Sequence, residues 1–366
     1  MFLKPLKYAF WILLFVLSLF FLNKLFLLKH YGAFSEFNSL NSFARHYDLR
    51  EKADGFYEKK KNSLDVVFFG SSYCHTNINP NVLWTEHGIA SYDFSADQQN
   101  LALTYYYVEE MFKRQKPRLI VIETSVIPDS KYDSNAQLHY SLDPLRLGRA
   151  KIKAALKRVK PEEIVEMMFP LVKYHSRWTE LSKFDYDYFS NSPKNVFNGN
   201  ISLMGIASDF SYDSSLAGNV YNLSNVAIDF ILKIKRLADK NNAKAFFIFT
   251  PLANPFVTDF YRRAIIQFLE KAQIDFYDFN GHFADIQTDM TTDYHDMVHM
   301  TYWGNVRFSR HLGNVLKARY DIPDRRNDKN YAEYDADCRA TQDVKKRFDS
   351  KYKAINNCCP NPKDYQ

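Results

Sequence analysis

Leu64-Asp65-Val66-Val67-Phe68-Phe69-Gly70-Ser71-Ser72-Tyr73 is the stretch on which the fold turns. Four of the six residues before the glycine are Val or Phe, which predicts a short buried strand. Gly70 ends it, because glycine accepts the tight backbone of a strand-to-helix corner. Ser71 and Ser72 then stand at the start of a helix. A hydroxyl there lies at the carboxyl end of a strand, close to free backbone N–H groups and to the positive end of a helix dipole. In an open α/β sheet that is the place for a nucleophilic serine. The same two residues also suit plain helix capping, and this stretch alone does not separate the two roles.

Working outward, further short apolar runs alternate with helical patterns. Ile89–Phe94, Leu119–Glu123, Ala245–Phe249 and Phe276–Phe279 read as strands two to five. Residues 99–115, 225–241, 258–272 and 302–320 read as helices; in the first, Leu103, Tyr106, Tyr107, Glu110 and Met111 share a stripe. Thr76–Pro80 reads as a loop. Such alternation predicts a parallel sheet covered by helices on both faces. Ligands of these sheets bind beyond the carboxyl ends of the strands. Ser72 follows the first strand, and the loop after the fifth reaches the same edge.

That second loop holds Asp293-Tyr294-His295-Asp296-Met297-Val298-His299-Met300-Thr301-Tyr302-Trp303-Gly304. A serine nucleophile needs a base, and the base needs a group that fixes its tautomer. Asp296 and His299 supply both. Asp293 and His295 form a second acid–base pair, with His295 the alternative base. Gly304 and the helix that follow favour the first pair. His75, three residues after Ser72, reads as a rim residue.

Strand-Gly-Ser-Ser near the start and D-x-x-H near the end together resemble the SGNH/GDSL hydrolase superfamily. Closer patterns are Phe68 to Cys74 with Asn79-Pro80, Ala90 to Ser95 leading to Gln99 and Thr104 to Tyr106, Lys116-Pro117, and Asp296 to Gly304. These are similar to membrane-anchored proteins of Gram-positive envelope-polysaccharide clusters, including teichoic-acid D-alanyl-transfer proteins, over roughly residues 60–320. The resemblance implies a three-layer, flavodoxin-like α/β fold with a five-stranded parallel sheet, and acyl groups carried on a serine. Ser72 would be the nucleophile, His299 the base and Asp296 its orienter. The oxyanion would meet the Ser72 N–H, a backbone N–H near Ala96, and a side chain from Gln99 or its neighbour Asn100. The corner Ser95-Ala96-Asp97-Gln98 lacks the glycine that the superfamily carries there. No metal or organic cofactor is implied. A membrane-bound O-acyltransferase is the implied protein partner, and a neutral or anionic envelope polysaccharide the implied substrate. The alternative is an inactive scaffold on the same fold that binds envelope polymer or that partner.

The 366 residues suffice for one large domain with attachments. Residues 1–30 read as a tail and transmembrane anchor, 31–62 as a stalk, 63–320 as the α/β domain, and 321–366 as a charged, loosely attached tail. Tyr8–Leu28 is almost wholly apolar, and at about 1.5 Å per residue it matches a bilayer core. The N-terminus is expected in the cytoplasm and the catalytic domain outside. Between strands three and four lies an insertion, about residues 126–224, too long for a plain connection. It contains a basic helix over 144–159 with Arg146, Arg149, Lys151 and Lys153 and no acid, which reads either as a solvated helix packed on the domain or as a surface for anionic polymer or lipid headgroups. Leu147, Ala150, Ala154 and Leu156 are expected on its apolar face. Phe184, Tyr186, Tyr188, Phe189 and Phe197 are candidates for stacking on sugars or for the insertion's own core. Cys74 reads as a small buried side chain, and Cys338, Cys358 and Cys359 have no zinc spacing. The net charge of +6 without any base-reading motif argues against nucleic acid.

Overall fold

The structure is a computed structural model that describes residues 3–27, 49–127, 133–181, 183, 186, 194–203, 221–254 and 258–356. Most of the expected stalk, the aromatics Phe184, Tyr188 and Phe189, and Cys358 and Cys359 lie outside these residues.

In chain order the elements are α1 (Leu3–Leu27), α2 (Leu49–Glu58), β1 (Val66–Phe69), α3 (Ser72–Asn77), α4 (Pro80–His87), β2 (Ser91–Asp93), α5 (Leu101–Met111) and β3 (Leu119–Glu123). The insertion supplies α6 (Asn135–Leu142), α7 (Arg149–Arg158), α8 (Ile164–Met168) and α9 (Pro170–Tyr174). Then come α10 (Asn225–Lys240), β4 (Lys244–Phe249), α11 (Asp259–Lys271), β5 (Phe276–Asp278), α12 (Phe283–Ile286), α13 (Tyr302–Arg319) and α14 (Ala332–Asn356).

The five strands form one sheet in the order β2-β1-β3-β4-β5, every pair parallel. That is the flavodoxin-like order, with a switch point at β1/β3. Alternation along each strand divides its side chains between two cores. Val67, Phe69, Ile120, Ile122, Phe247 and Phe249 enter one. Val66, Phe68, Leu119, Val121, Phe246 and Ile248 enter the other. Side chains on both faces of a strand are therefore apolar, which is why these segments read as continuous hydrophobic runs. Thr76 and Asn77, expected in a loop, belong to the last turn of α3.

Three expectations are corrected. Among the described residues no helix is long and apolar enough to cross a membrane, so the transmembrane segment is not met. The stretch is instead the 25-residue α1, exposed over residues 7–21; Leu28, the expected end of the span, lies outside the described residues.

The segment after Asp321 is not loosely attached as far as Thr341. Tyr331, Tyr334, Cys338 and Thr341 are buried, spaced three, four and three apart as one helical face requires. Trp84 stacks on Tyr334 at 4.8 Å between ring centres and donates its indole N–H to Asp335 at 2.8 Å. Arg325 grips Asp65 through two hydrogen bonds of 2.8 and 2.9 Å. The charged composition hid an apolar face only four residues deep.

The basic helix is not one solvated patch. Arg146 pairs with Asp54 at 3.2 Å and lies over the Tyr57 ring. Lys153 pairs with Glu109. Lys151 is buried, its ammonium 3.4 Å from the Leu145 carbonyl. Arg149 is exposed and makes no ion pair among the described residues, whereas Arg146, also exposed, is paired. Leu147 and Leu156, expected on the packed face, are exposed.

Candidate active site

The β1–α3 corner depends on Gly70, whose φ is +153° and whose missing Cβ would stand 2.7 Å from the Glu123 Cβ. A side chain there meets both a backbone strain and a clash. Beyond it the two serines divide the roles that the sequence left open. Ser71 is the N-cap, its hydroxyl accepting from the Tyr73 N–H at 3.3 Å. Ser72 is the first residue of α3, so its own N–H has no helical partner.

The Ser72 hydroxyl lies 2.8 Å from His299 Nε2. His299 Nδ1 lies 2.7 Å from Asp296 Oδ2. The other oxygen of Asp296 accepts the backbone N–H groups of Val298, at 2.9 Å, and of His299, at 2.8 Å. Burial works against the Asp296 anion, but these hydrogen bonds and the His299 imidazole outweigh it and hold the carboxyl down at about 2. Asp296 is thus ionised at any working pH and fixes a proton on Nδ1, which leaves Nε2 to face the serine.

Two backbone contacts hold the loop. His295 N–H donates to the His299 carbonyl at 2.8 Å, closing a tight turn. Gly304 lies against the loop's start, where a Cβ would come within 2.1 Å of the Asp293 carbonyl. That contact explains a glycine at this spacing from the motif. Asn77, fully buried, ties the loop to the serine helix. Its Oδ1 accepts the Met300 N–H at 2.8 Å, and its amide donates to the Val298 carbonyl at 3.1 Å. Sequence reasoning passed over Asn77, since a lone asparagine gives no signal until both partners are in place. Asn77→Ala unties the two halves of the triad. We expect about 10²-fold lower kcat with KM little changed, the scale of a 1 Å misplacement. Ester turnover within a few-fold of wild type would remove Asn77 from the positioning machinery.

Ser72, His299 and Asp296 open into a cavity of about 280 Å³. His295 lines it, but its expected partner Asp293 is engaged by the Asp289 N–H at 2.8 Å and by Arg307 at 3.3 Å. The wall also carries His75 and Asp97. His75 is buried rather than at the rim, 3.1 Å from Asp97 and 3.3 Å from the Ser95 hydroxyl. Burial lowers the His75 pKa; burial also opposes the Asp97 anion, but the bond from His75 prevails and lowers its pKa. Behind Ser71, burial pushes the Glu123 carboxyl up to about 7, against its bonds from Ser125 and Ser71. Cys74 is buried against Asp93, and burial raises its thiol pKa well above the usual range, which makes it a poor nucleophile. Among the described residues no cluster of His, Cys, Asp or Glu is suited to a metal ion.

The expected oxyanion donors need correction. The Ala96 N–H donates to the Gly70 carbonyl at 3.3 Å. The Gln99 amide donates to Thr104 at 2.9 Å inside the core. Asn100 caps α5, accepting the Leu103 N–H at 3.0 Å and donating to Asp133 at 2.7 Å. Only the Ser72 N–H of the four remains at the site. The Ala96–Gln99 turn, closed by a 3.2 Å bond, has Asp97 and Gln98 at its centre, with Gln98 at φ +51°. Both line the cavity, and neither N–H makes a hydrogen bond among the described residues. A left-handed glutamine stands where a glycine would signal the turn, so the sequence pointed one residue too early.

Residues 3–191 match the family model described as "Protein of unknown function (DUF1574)". The chain belongs to the DUF1574 family. No curated protein matches this DUF1574 chain. Solved structures similar to it include a candidate acylhydrolase from Bacteroides fragilis, at 13% identity and TM-score 0.34 over 73% of this chain and 94% of the other. A candidate lipolytic protein of the G-D-S-L family from Desulfitobacterium hafniense is similar at 12% and 0.35, over 70% and 100%. A GDSL-like lipase from Bacteroides thetaiotaomicron is similar at 12% and 0.34, over 74% and 98%. The second and third are described by the G-D-S-L motif, and none of the three is described as a teichoic-acid D-alanyl-transfer protein.

Proposed function

We propose that this DUF1574 protein is a serine esterase or O-acyltransferase acting on ester groups of a cell-envelope polysaccharide. The observation that carries the proposal is the unbroken chain Asp296–His299–Ser72, with both links at hydrogen-bond length. His299 Nε2 takes the hydroxyl proton as Ser72 Oγ attacks an ester carbonyl. The oxyanion forms near the Ser72 N–H, with the N–H groups of Asp97 and Gln98 as further donors. His299 then protonates the leaving alcohol, and an acyl-serine results. Water or a sugar hydroxyl, deprotonated by His299, releases the acyl group. The polymer, the choice of acceptor and a membrane O-acyltransferase donor follow from the sequence resemblance. The exposed apolar side chains of α1 support attachment to a membrane; the placement of the domain on its outer side follows from the sequence resemblance.

One observation favours a second function, a polymer-binding scaffold: Ala96, Gln99 and Asn100 are all committed to the fold. The full chain in detergent, assayed with p-nitrophenyl acetate beside Ser72→Ala, separates the two. The enzyme predicts release that drops at least about 10³-fold in the variant. Equal release from both proteins would favour the scaffold.

A further inference from the structure

The helices between β3 and β4 carry apolar side chains that the domain leaves uncovered. On α7, Ile152 and Leu156 stand one turn apart and are exposed, while Ala150, Ala154 and Ala155 are buried. Val165, Phe169 and Val172 follow at spacings of four and three across α8 and α9, and are 58%, 47% and 50% exposed. Trp178, on the 3₁₀ turn His175–Glu180, is 70% exposed. These elements touch in series: α7 on α8, α8 on α9, α9 on the turn, and α1 against both α9 and the turn. Asn23 of α1 accepts the Leu171 N–H at 3.0 Å. The insertion therefore packs along α1, whose own side chains are exposed over residues 7–21. Single exposed apolar side chains are ordinary, but a contiguous set marks a surface with a partner.

Charge selects the partner. Arg149, Lys157 and Lys160 are exposed around Ile152 and Leu156 and make no ion pair among the described residues. Glu166 is paired with Lys173 at 3.3 Å, and Glu162 and Glu163 stand on the turn before α8. Apolar stripes flanked by cations, with an indole at the edge, match the boundary between lipid headgroups and acyl chains.

We propose that α7, α8, α9 and the turn bearing Trp178 form an in-plane surface that lies on a bilayer containing anionic lipid, beside α1. It extends the membrane attachment proposed above but uses no triad residue, so it fails or stands apart from the serine chemistry.

The test uses the full chain reconstituted into phosphatidylcholine–phosphatidylglycerol vesicles, with ordinary or brominated acyl chains. Of the four tryptophans, Trp84 and Trp303 are buried. Trp11→Phe therefore leaves Trp178 as the exposed indole. Brominated lipid should lower the emission of Trp11→Phe protein, and Trp11→Phe/Trp178→Phe should lose that drop. Phe169→Asp/Val172→Asp in the Trp11→Phe background, both at surface positions, should weaken the drop while p-nitrophenyl acetate turnover stays unchanged. Omitting phosphatidylglycerol should weaken it too. Vesicle-bound Trp11→Phe protein with equal emission in both lipids would overturn the proposal, as would failure to sediment with vesicles. A dimer in detergent that shields Trp178 from iodide would also overturn it, by giving the surface to a second copy.

Discussion

His299→Ala lowers p-nitrophenyl acetate turnover by about 10⁴-fold or more, while His295→Ala stays within about ten-fold of wild type. The difference follows from what each ring touches. His299 bridges Ser72 and Asp296, whereas the carboxylate expected to orient His295 is spent on Asp289 and Arg307. Asp296→Asn should fall between the two, by about 10⁴-fold at most, because it leaves the ring in place with the wrong tautomer favoured. Full kinetics on the three purified variants check this. A dead His295→Ala beside an active His299→Ala would exchange the two histidines.

Trp84→Ala carries the largest expected cost to stability. Trp84 is buried, stacks on Tyr334 and donates to Asp335, so its loss opens a cavity and leaves a carboxylate without its donor. About 3–5 kcal/mol is the usual range for truncating a buried tryptophan. The effect should be seen twice: as a lower urea midpoint, and as new protease cleavage within residues 332–341, since α14 loses the surface it rests on. A shift below about 1 kcal/mol with no new cleavage would mean that α14 is held by Arg325–Asp65 and Lys59–Asp337 instead.

Both predictions sit where sequence patterns and structure part company. β1, β3 and β4 were legible because strands buried on both faces are forced to be apolar throughout. Ser72, Asp296 and His299 were legible because the chemistry limits which residue types can serve and the strand order limits where they sit. The proposed oxyanion donors were not, since a backbone N–H carries no residue type, and Gln98 adopts a left-handed turn without glycine. Asn77 was not, because its role exists only once α3 and the Asp296–His299 loop meet. The face of α14 was hidden by charge on either side of Tyr331, Tyr334 and Cys338. Lys151 was taken for a solvated cation because its buried neighbours, the carbonyls of Asp143 and Leu145, have no signature in the chain.

The most direct test of a serine nucleophile is to label the folded full chain with a fluorophosphonate and locate the adduct by peptide mass spectrometry. A single adduct on Ser72, absent from Ser72→Ala and much slowed in His299→Ala, is the predicted result. Folded protein that stays unlabelled, or labels on another residue, would contradict it.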